Sequence, residues 1–298
     1  MRKILVSVLV ATLVLTAFAG CGGNQAPASP TPSSNFNANR EITVVSRESG
    51  SGTRGAFVEL TGIEVRGADG SVTDMTSAEA TIGNGTNAIM TNVAGDTYAI
   101  GYISTGSINN TIKPISVDGV APTAENILAG SYVIARPFII VTKGNLEPVA
   151  GEFIDFIMSE LGQEIVAGSY IHVDLNAPAF QSAGHSGTVV IGGSTSVAPV
   201  MERLSEGYRA LNPNATIEVH ATGSGAGITG AIDGLLDIGM SSREIRDSEM
   251  EQLDRQITIC MDGIAVIVNN NNPITNLTSE QVREIFTGET TRWADVHG

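Results

Sequence analysis

Short β-branched apolar runs alternate along this chain with longer segments in which apolar residues recur at three- and four-residue spacing. The runs at 42–45, 98–104, 138–142, 188–192, 216–220 and 262–268 predict strands. Segment 153–167 predicts a helix, because Phe153, Ile154, Phe156, Ile157, Leu161 and Ile165 build one wide apolar face. Segment 197–211 predicts another, carried by Val197, Val200, Met201, Leu204 and Tyr208, with Pro199 in the first turn where proline is tolerated. In 278–286 the pattern returns with Val282, Ile285 and Phe286, and Thr278 precedes Gln281 by three residues, the spacing of a capping box. Strand and helix patterns in alternation predict an α/β architecture. No solenoid-type repeat is present.

The junctions between these elements carry the chemistry. Segment 46–57 (SRESGSGTRGAF) follows one apolar run, and segment 192–200 (GGSTSVAPV) follows another. Each reads as strand, Gly/Ser/Thr turn, helix. A third turn, 222–230 (TGSGAGITG), has the same character, and 239–243 (GMSSR) places a serine pair at a strand end. Such turns offer free backbone N–H groups, hydroxyls and the positive end of a helix dipole, which together favour a bound anion. The chain contains only three lysines, so arginine is its main cation. Arg47 stands four residues before Ser51, and a guanidinium can hold two oxygens of a tetrahedral anion in parallel. Gly50 and Gly52 allow close backbone approach, and Ser51 and Thr53 add hydroxyls. Thr195 and Ser196 serve equally well as helix caps or as anion donors, since both roles use the same groups.

Other signals are weak. Residues 225–230 match G-x-G-x-x-G, but no acid stands nearby at the distance a ribose would require. The four histidines show no metal-ligand spacing, and no serine has a visible activating base. Neither a metal nor a cofactor is expected, and a serine hydrolase is disfavoured.

The first residues place the chain. Met1-Arg2-Lys3 precedes an apolar run over 4–18, then Ala19-Gly20-Cys21. The run is short for a membrane span and fits a signal peptide over 1–20, with Cys21 as a lipidated N-terminus. Residues 21–40 are Gly-, Pro-, Ser-, Asn- and Ala-rich and predict a flexible linker. Removing Arg2 and Lys3 leaves 14 cations against 31 acids, a net charge of −17. That excludes nucleic acid as a partner and limits membrane contact to the anchor. Cys260, in an apolar stretch, reads as a buried, inert thiol.

Taken together, the segments GGSTSVAPV, ATGSGAGI, DIGMSSREI, DGIAVIVN, EQVREIFTGETTRWADV, ITVVSRESGSGTRGAF, AIGYIS, ARPFIIVTKG and SELGQEIV resemble the phosphate-binding proteins of Pst phosphate ABC importers. The resemblance covers roughly 41–182 and 188–298. It implies a type II periplasmic-binding-protein fold, two lobes joined by two hinge strands around a ligand cleft. Crossovers are then expected near 135–138 and 266–269, making 137–267 one contiguous lobe and 41–135 plus 269–298 the other. The family order differs. There the GGSTS segment comes first and SGTRGAF follows WADV, whereas here SGTRGAF leads and the family's two ends join across the polar stretch 183–187. A circular permutation and a tandem protein cut short would both read this way.

The resemblance assigns phosphate donors to Arg47, Ser51, Gly52 and Thr53 on one lobe and to Thr195, Ser196, Ser224 and Ser242 on the other, with Ser241 and Asp262 as further candidates. Where some family members carry an aspartate that accepts the phosphate proton, this chain has Ser242, and Asp262 or Glu48 stands as the alternative acceptor. The implied function is a lipid-tethered receptor outside the cell that passes inorganic phosphate to permease subunits without chemistry. A receptor for sulfate or molybdate, and a phosphate-responsive surface sensor, are the alternatives.

Overall fold

The computed structural model describes residues 36–67, 71–174 and 176–296. Cys21 and the signal segment lie outside the described residues. The elements that position the site are strand β1 (Thr43–Arg47), helix α1 (Gly52–Leu60), β2 (Thr81–Gly83), α2 (Thr86–Gly95), β3 (Ala99–Ser104), β4 (Ala135–Thr142), α3 (Pro148–Ile157), α4 (Glu160–Ala167), β5 (Gly187–Gly193), α5 (Ala198–Leu211), β6 (Ala215–Ala221), α6 (Ser224–Ile232), β7 (Ile238–Ser241), β8 (Arg255–Val268) and α7 (Ser279–Thr287).

These strands form one hydrogen-bonded path in the order β6-β5-β7-β4-β8-β3-β1-β2. β5 pairs in parallel with β6 and β7, and β1 pairs in parallel with β2 and β3. The centre is antiparallel. The long strand β8 runs beside β4 from Arg255↔Thr142 to Gly263↔Ala135, then leaves it and pairs with β3 from Ile264↔Ser104 to Val268↔Ile100. The partner change at Gly263–Ile264 divides the apolar interior as well. Every residue of the largest core lies between Phe138 and Cys260. The second core draws on 56–134 and 264–296, with Ile171 as the one outlier. Each fully buried aliphatic or aromatic side chain in them contributes about 1.5–3 kcal/mol.

Sequence and structure differ in instructive places. The helix expected over 153–167 is two helices, α3 and α4. Ser159 recaps the chain by donating to Phe156 O (2.6 Å) and accepting from Gly162 N (3.3 Å). Gly162 sits where a Cβ would lie 2.1 Å from Phe156 O, so the turn needs glycine. The capping box at Thr278 and Gln281 is present at the start of α7. Cys260 is buried.

The linker expected over 21–40 gives way to packed structure at Phe36, the single large apolar side chain of that stretch. Its ring lies 5.2 Å from Tyr98 and 6.2 Å from Trp293. Backbone bonds Ala294 N→Ala38 O (2.7 Å) and Ile42 N→Thr291 O (2.8 Å) join the beginning of the body to its end. The polar stretch 183–187 is equally well held. The Glu152 carboxylate accepts from Ser182 Oγ, Ala183 N and His185 N.

Candidate functional site

Four helices begin at the same place. α1, α2, α5 and α6 each follow a strand and a short turn containing Gly, Ser or Thr, so the positive ends of four helix dipoles meet there. α1 is capped by Ser51, whose hydroxyl accepts from Arg54 N at 3.3 Å. α2 was not anticipated, although its entry, Gly83-Asn84-Gly85-Thr86 after an apolar strand, has the same pattern as the other three.

The structure brings the predicted donors together. Arg47, at the end of β1, is 2 % exposed, and its Nη2 donates to Thr195 Oγ1 at 2.9 Å. Thr53 Oγ1 and Ser196 Oγ are 2.8 Å apart. Ser242 N donates to Ser224 Oγ (3.1 Å), Ser194 Oγ donates to Ser242 Oγ (2.7 Å), and Ser224 Oγ and Ser242 Oγ share a longer bond of 3.3 Å. Gly52 closes the ring. A Cβ there would stand 2.2 Å from Ser224 Oγ and 2.8 Å from Ser242 Oγ, so only a residue without a side chain lets α1 approach these hydroxyls. Gly225 N donates to Gly50 O at 3.1 Å beside it.

Two candidates are placed differently. Ser241 bonds within its own turn, donating to Arg243 O and accepting from Arg243 N. Asp262 is filled by other partners. Oδ1 accepts from Ser104 Oγ and Thr105 Oγ1, both at 2.9 Å, and Oδ2 accepts from Arg136 Nη2 (3.2 Å) and Nε (3.4 Å). It reaches the donor ring only through Arg136, whose Nη1 donates to Ser242 O at 2.9 Å. Ser194, Thr86 and Arg136 escaped the sequence reading. Ser194 lies inside a turn already singled out, while a lone arginine before a proline gives no local sign of burial.

Charge in the ring is balanced. Glu48 accepts from Arg47 Nε (2.8 Å) and Nη2 (2.7 Å) and from Gly85 N (3.1 Å). Burial alone would raise its carboxyl, but these donors and the Arg47 charge hold it below the ordinary carboxylate range. Burial pushes Asp262 up and Arg136 down, and the attraction between them opposes both. The ring therefore offers an incoming anion hydroxyls, backbone N–H groups and one guanidinium already shared with a carboxylate. Outside it, a groove of about 1160 Å³ runs past Ser51. Its Arg54 and Arg243 are paired with Asp74 (2.6 Å) and Glu249 (2.7 Å).

The G-x-G-x-x-G match serves packing. A Cβ on Gly227 would stand 2.5 Å from Gly193 Cα, and one on Gly230 would stand 2.6 Å from Leu236 Cδ1. The glycines let α6 lie directly on β5 and β7. Among the described residues, no group of three or more His, Cys, Asp and Glu is placed to hold a metal ion, and no helix is long and apolar enough to cross a membrane.

The model of the PBP superfamily domain matches residues 24–160 and 178–298. The chain belongs to the PBP superfamily. It is 45 % identical to the phosphate-binding protein PstS 2 of Streptococcus agalactiae over 286 residues, 95 % of this chain and 97 % of that protein. The phosphate-binding protein PstS 2 of Streptococcus pneumoniae is 39 % identical over 95 % of this chain and 96 % of its own. The crystal structure of a phosphate-binding protein of a phosphate ABC transporter from Streptococcus pneumoniae superposes with a TM-score of 0.70 at 40 % identity, covering 86 % of this chain and all of that one. The match to PstS of Staphylococcus haemolyticus is confined to 112 residues, 35 % of each chain, at 37 % identity. Within the superfamily, the chain belongs with the PstS proteins.

Proposed function

We propose that this chain is the extracytoplasmic phosphate receptor of an ABC importer. It captures inorganic phosphate in the ring of donors around Arg47 and delivers it to the permease without covalent chemistry. The observation that carries the reading is the bond from Arg47 to Thr195, which joins two donor turns 148 residues apart. Full-length relatives named as phosphate-binding proteins support the choice of ligand. The ligand donors are Arg47, Ser51, Gly52 and Thr53 from one side and Thr195, Ser196, Ser224 and Ser242 from the other. Each hydrogen bond to a charged ligand contributes about 1.5–3 kcal/mol, so several together suffice for tight binding after desolvation.

The two sets belong to two lobes, 41–135 with 269–298, and 137–267. The separate cores and the partner change along β8 support two lobes, with the boundary on β8 at Gly263–Ile264, a few residues before the position the resemblance implies. β4 and β8 are the hinge strands, and closure about them completes the site. Cys21 carries the lipid anchor, on the strength of the sequence before it. The segment order is that of a circular permutation. The backbone bonds between the beginning and the end of the body support it, because permutation requires new ends that lie side by side.

Calorimetric titration of phosphate into the chain lacking residues 1–20 tests the reading. A saturable isotherm near one to one is expected, with sulfate and molybdate competing poorly. A flat trace from folded protein, or equal competition by sulfate, would overturn the ligand assignment.

A further inference from the structure

Ser242 contributes an N–H and a hydroxyl to the ring, yet nothing in its own turn fixes its carbonyl. That carbonyl accepts from Arg136 Nη1 at 2.9 Å. Arg136 is the cross-strand partner of Asp262, two residues before β8 changes partners. Its remaining nitrogens are spent on Asp262 Oδ2. Asp262 Oδ1 is in turn held by Ser104 Oγ and Thr105 Oγ1, which lie at and just beyond the end of β3 on the far side of the partner change. Gly263 N donates to the same Thr105 hydroxyl at 3.3 Å. All the side chains of the pair are buried, with exposures of 2 % and 0 %.

We infer that Arg136 is a positioning residue for anion binding, holding the Ser242 carbonyl so that its N–H and hydroxyl stay in the donor ring, with Asp262 tying Arg136 to the opposite side of the hinge. The inference rests on the assignment of the ring as the phosphate site. A buried ion pair is a poor source of stability, because the desolvation of both charges offsets most of their attraction. An apolar pair of similar volume would fill the same space. What it could not do is direct one fork at a carbonyl and the other at a carboxylate fixed from the neighbouring sheet half. The device also separates two roles that a buried arginine can have. Each Arg136 nitrogen already makes a bond within the protein and the side chain is 2 % exposed, so it shapes the site without entering it.

The double variant Arg136→Met with Asp262→Leu removes both charges together. Its thermal midpoint is expected near that of the wild type, while its phosphate affinity falls about tenfold or more, the loss of one well-placed donor set. Arg136→Lys keeps a charge for Asp262 but lacks the fork to reach Ser242 as well, and the same order of loss is expected with the fold intact. Wild-type titration is read first. A flat wild-type trace defeats the site assignment itself. Binding by the wild type, with the double variant within about twofold of it, overturns the positioning role and leaves the pair as structure only. Should the double variant not fold, Arg136→Lys decides by the same criterion.

Discussion

Arg47 and Arg136 are each 2 % exposed, each bonded to a carboxylate, and each connected to a serine or threonine of the donor ring. They differ in their partners. Glu48, beside Arg47, keeps a side-chain exposure of 23 %, and Arg47 Nη2 also faces Thr195. Asp262, beside Arg136, has none, and both of its oxygens are filled by fixed donors. An arginine whose counter-ion remains partly in water can share its charge with a ligand, because Glu48 can be rehydrated as the anion arrives. An arginine sealed with a saturated carboxylate cannot, and its charge serves instead to tie neighbouring strands together. Two residues of the same type, equally buried, thus do different work according to how their acids are solvated.

The comparison breaks first at Asp262. Asp262→Ala leaves the Arg136 charge buried without a partner, and unfolding in denaturant should show a loss of about 3–5 kcal/mol. Glu48→Ala, by contrast, leaves Arg47 beside a partly hydrated space and should lose much less. Equal losses would show that the two pairs are not distinct. Arg47→Ala acts on binding instead. Phosphate affinity should fall by about 2–4 kcal/mol in calorimetry, against no measurable change for the exposed control Arg255→Ala.

Gly52→Ala probes the approach of the two sides. The new methyl group meets Ser224 Oγ and Ser242 Oγ, so the turn must retreat, and affinity should fall by about 1–3 kcal/mol with the fold retained. Ser51→Ala removes a proposed ligand hydroxyl and the α1 cap, and should weaken phosphate by about 0.5–1.5 kcal/mol. The smallest effect is on pH. The Glu48 carboxyl is held below its ordinary range in the folded state, so its contribution is present above the unfolded carboxylate range and is lost as pH falls through its lowered folded value. Glu48→Gln should therefore flatten the acid side of the stability curve below about pH 4, and an unchanged curve would show that Glu48 and Arg47 are not coupled.

Much of this was readable beforehand. The strand-turn-helix punctuation at 46–57, 192–200 and 222–230 identified three of the four helix entries, because glycine, serine and threonine at a strand end have few other physical uses. The fourth, at Gly85-Thr86, was equally visible in principle, being the same pattern in a less conspicuous form. The capping box at Thr278 and the buried Cys260 were legible because both follow from local sequence alone. The break at Ser159 was not, since an unbroken apolar face runs through it and only the local hydrogen bonds divide it. Packing from Phe36 onward was hidden for the opposite reason. One aromatic in a polar stretch gives no periodicity, and its partners Tyr98 and Trp293 are far along the chain.

The order of apolar and polar residues by itself determined the alternating α/β architecture, the positions of the donor turns and the choice of arginine as the cation, because these depend on neighbours a few residues apart. Tertiary structure alone decided how each of the two candidate acids is solvated. Asp262 and Glu48 were equal candidates as acceptors in the sequence, and the fold surrounded one with hydroxyls and a second arginine while leaving the other partly in water. For Asp262 that choice depends on contacts with Ser104, Thr105 and Arg136, more than a hundred positions away, and for Glu48 on its hydration, neither of which local pattern encodes.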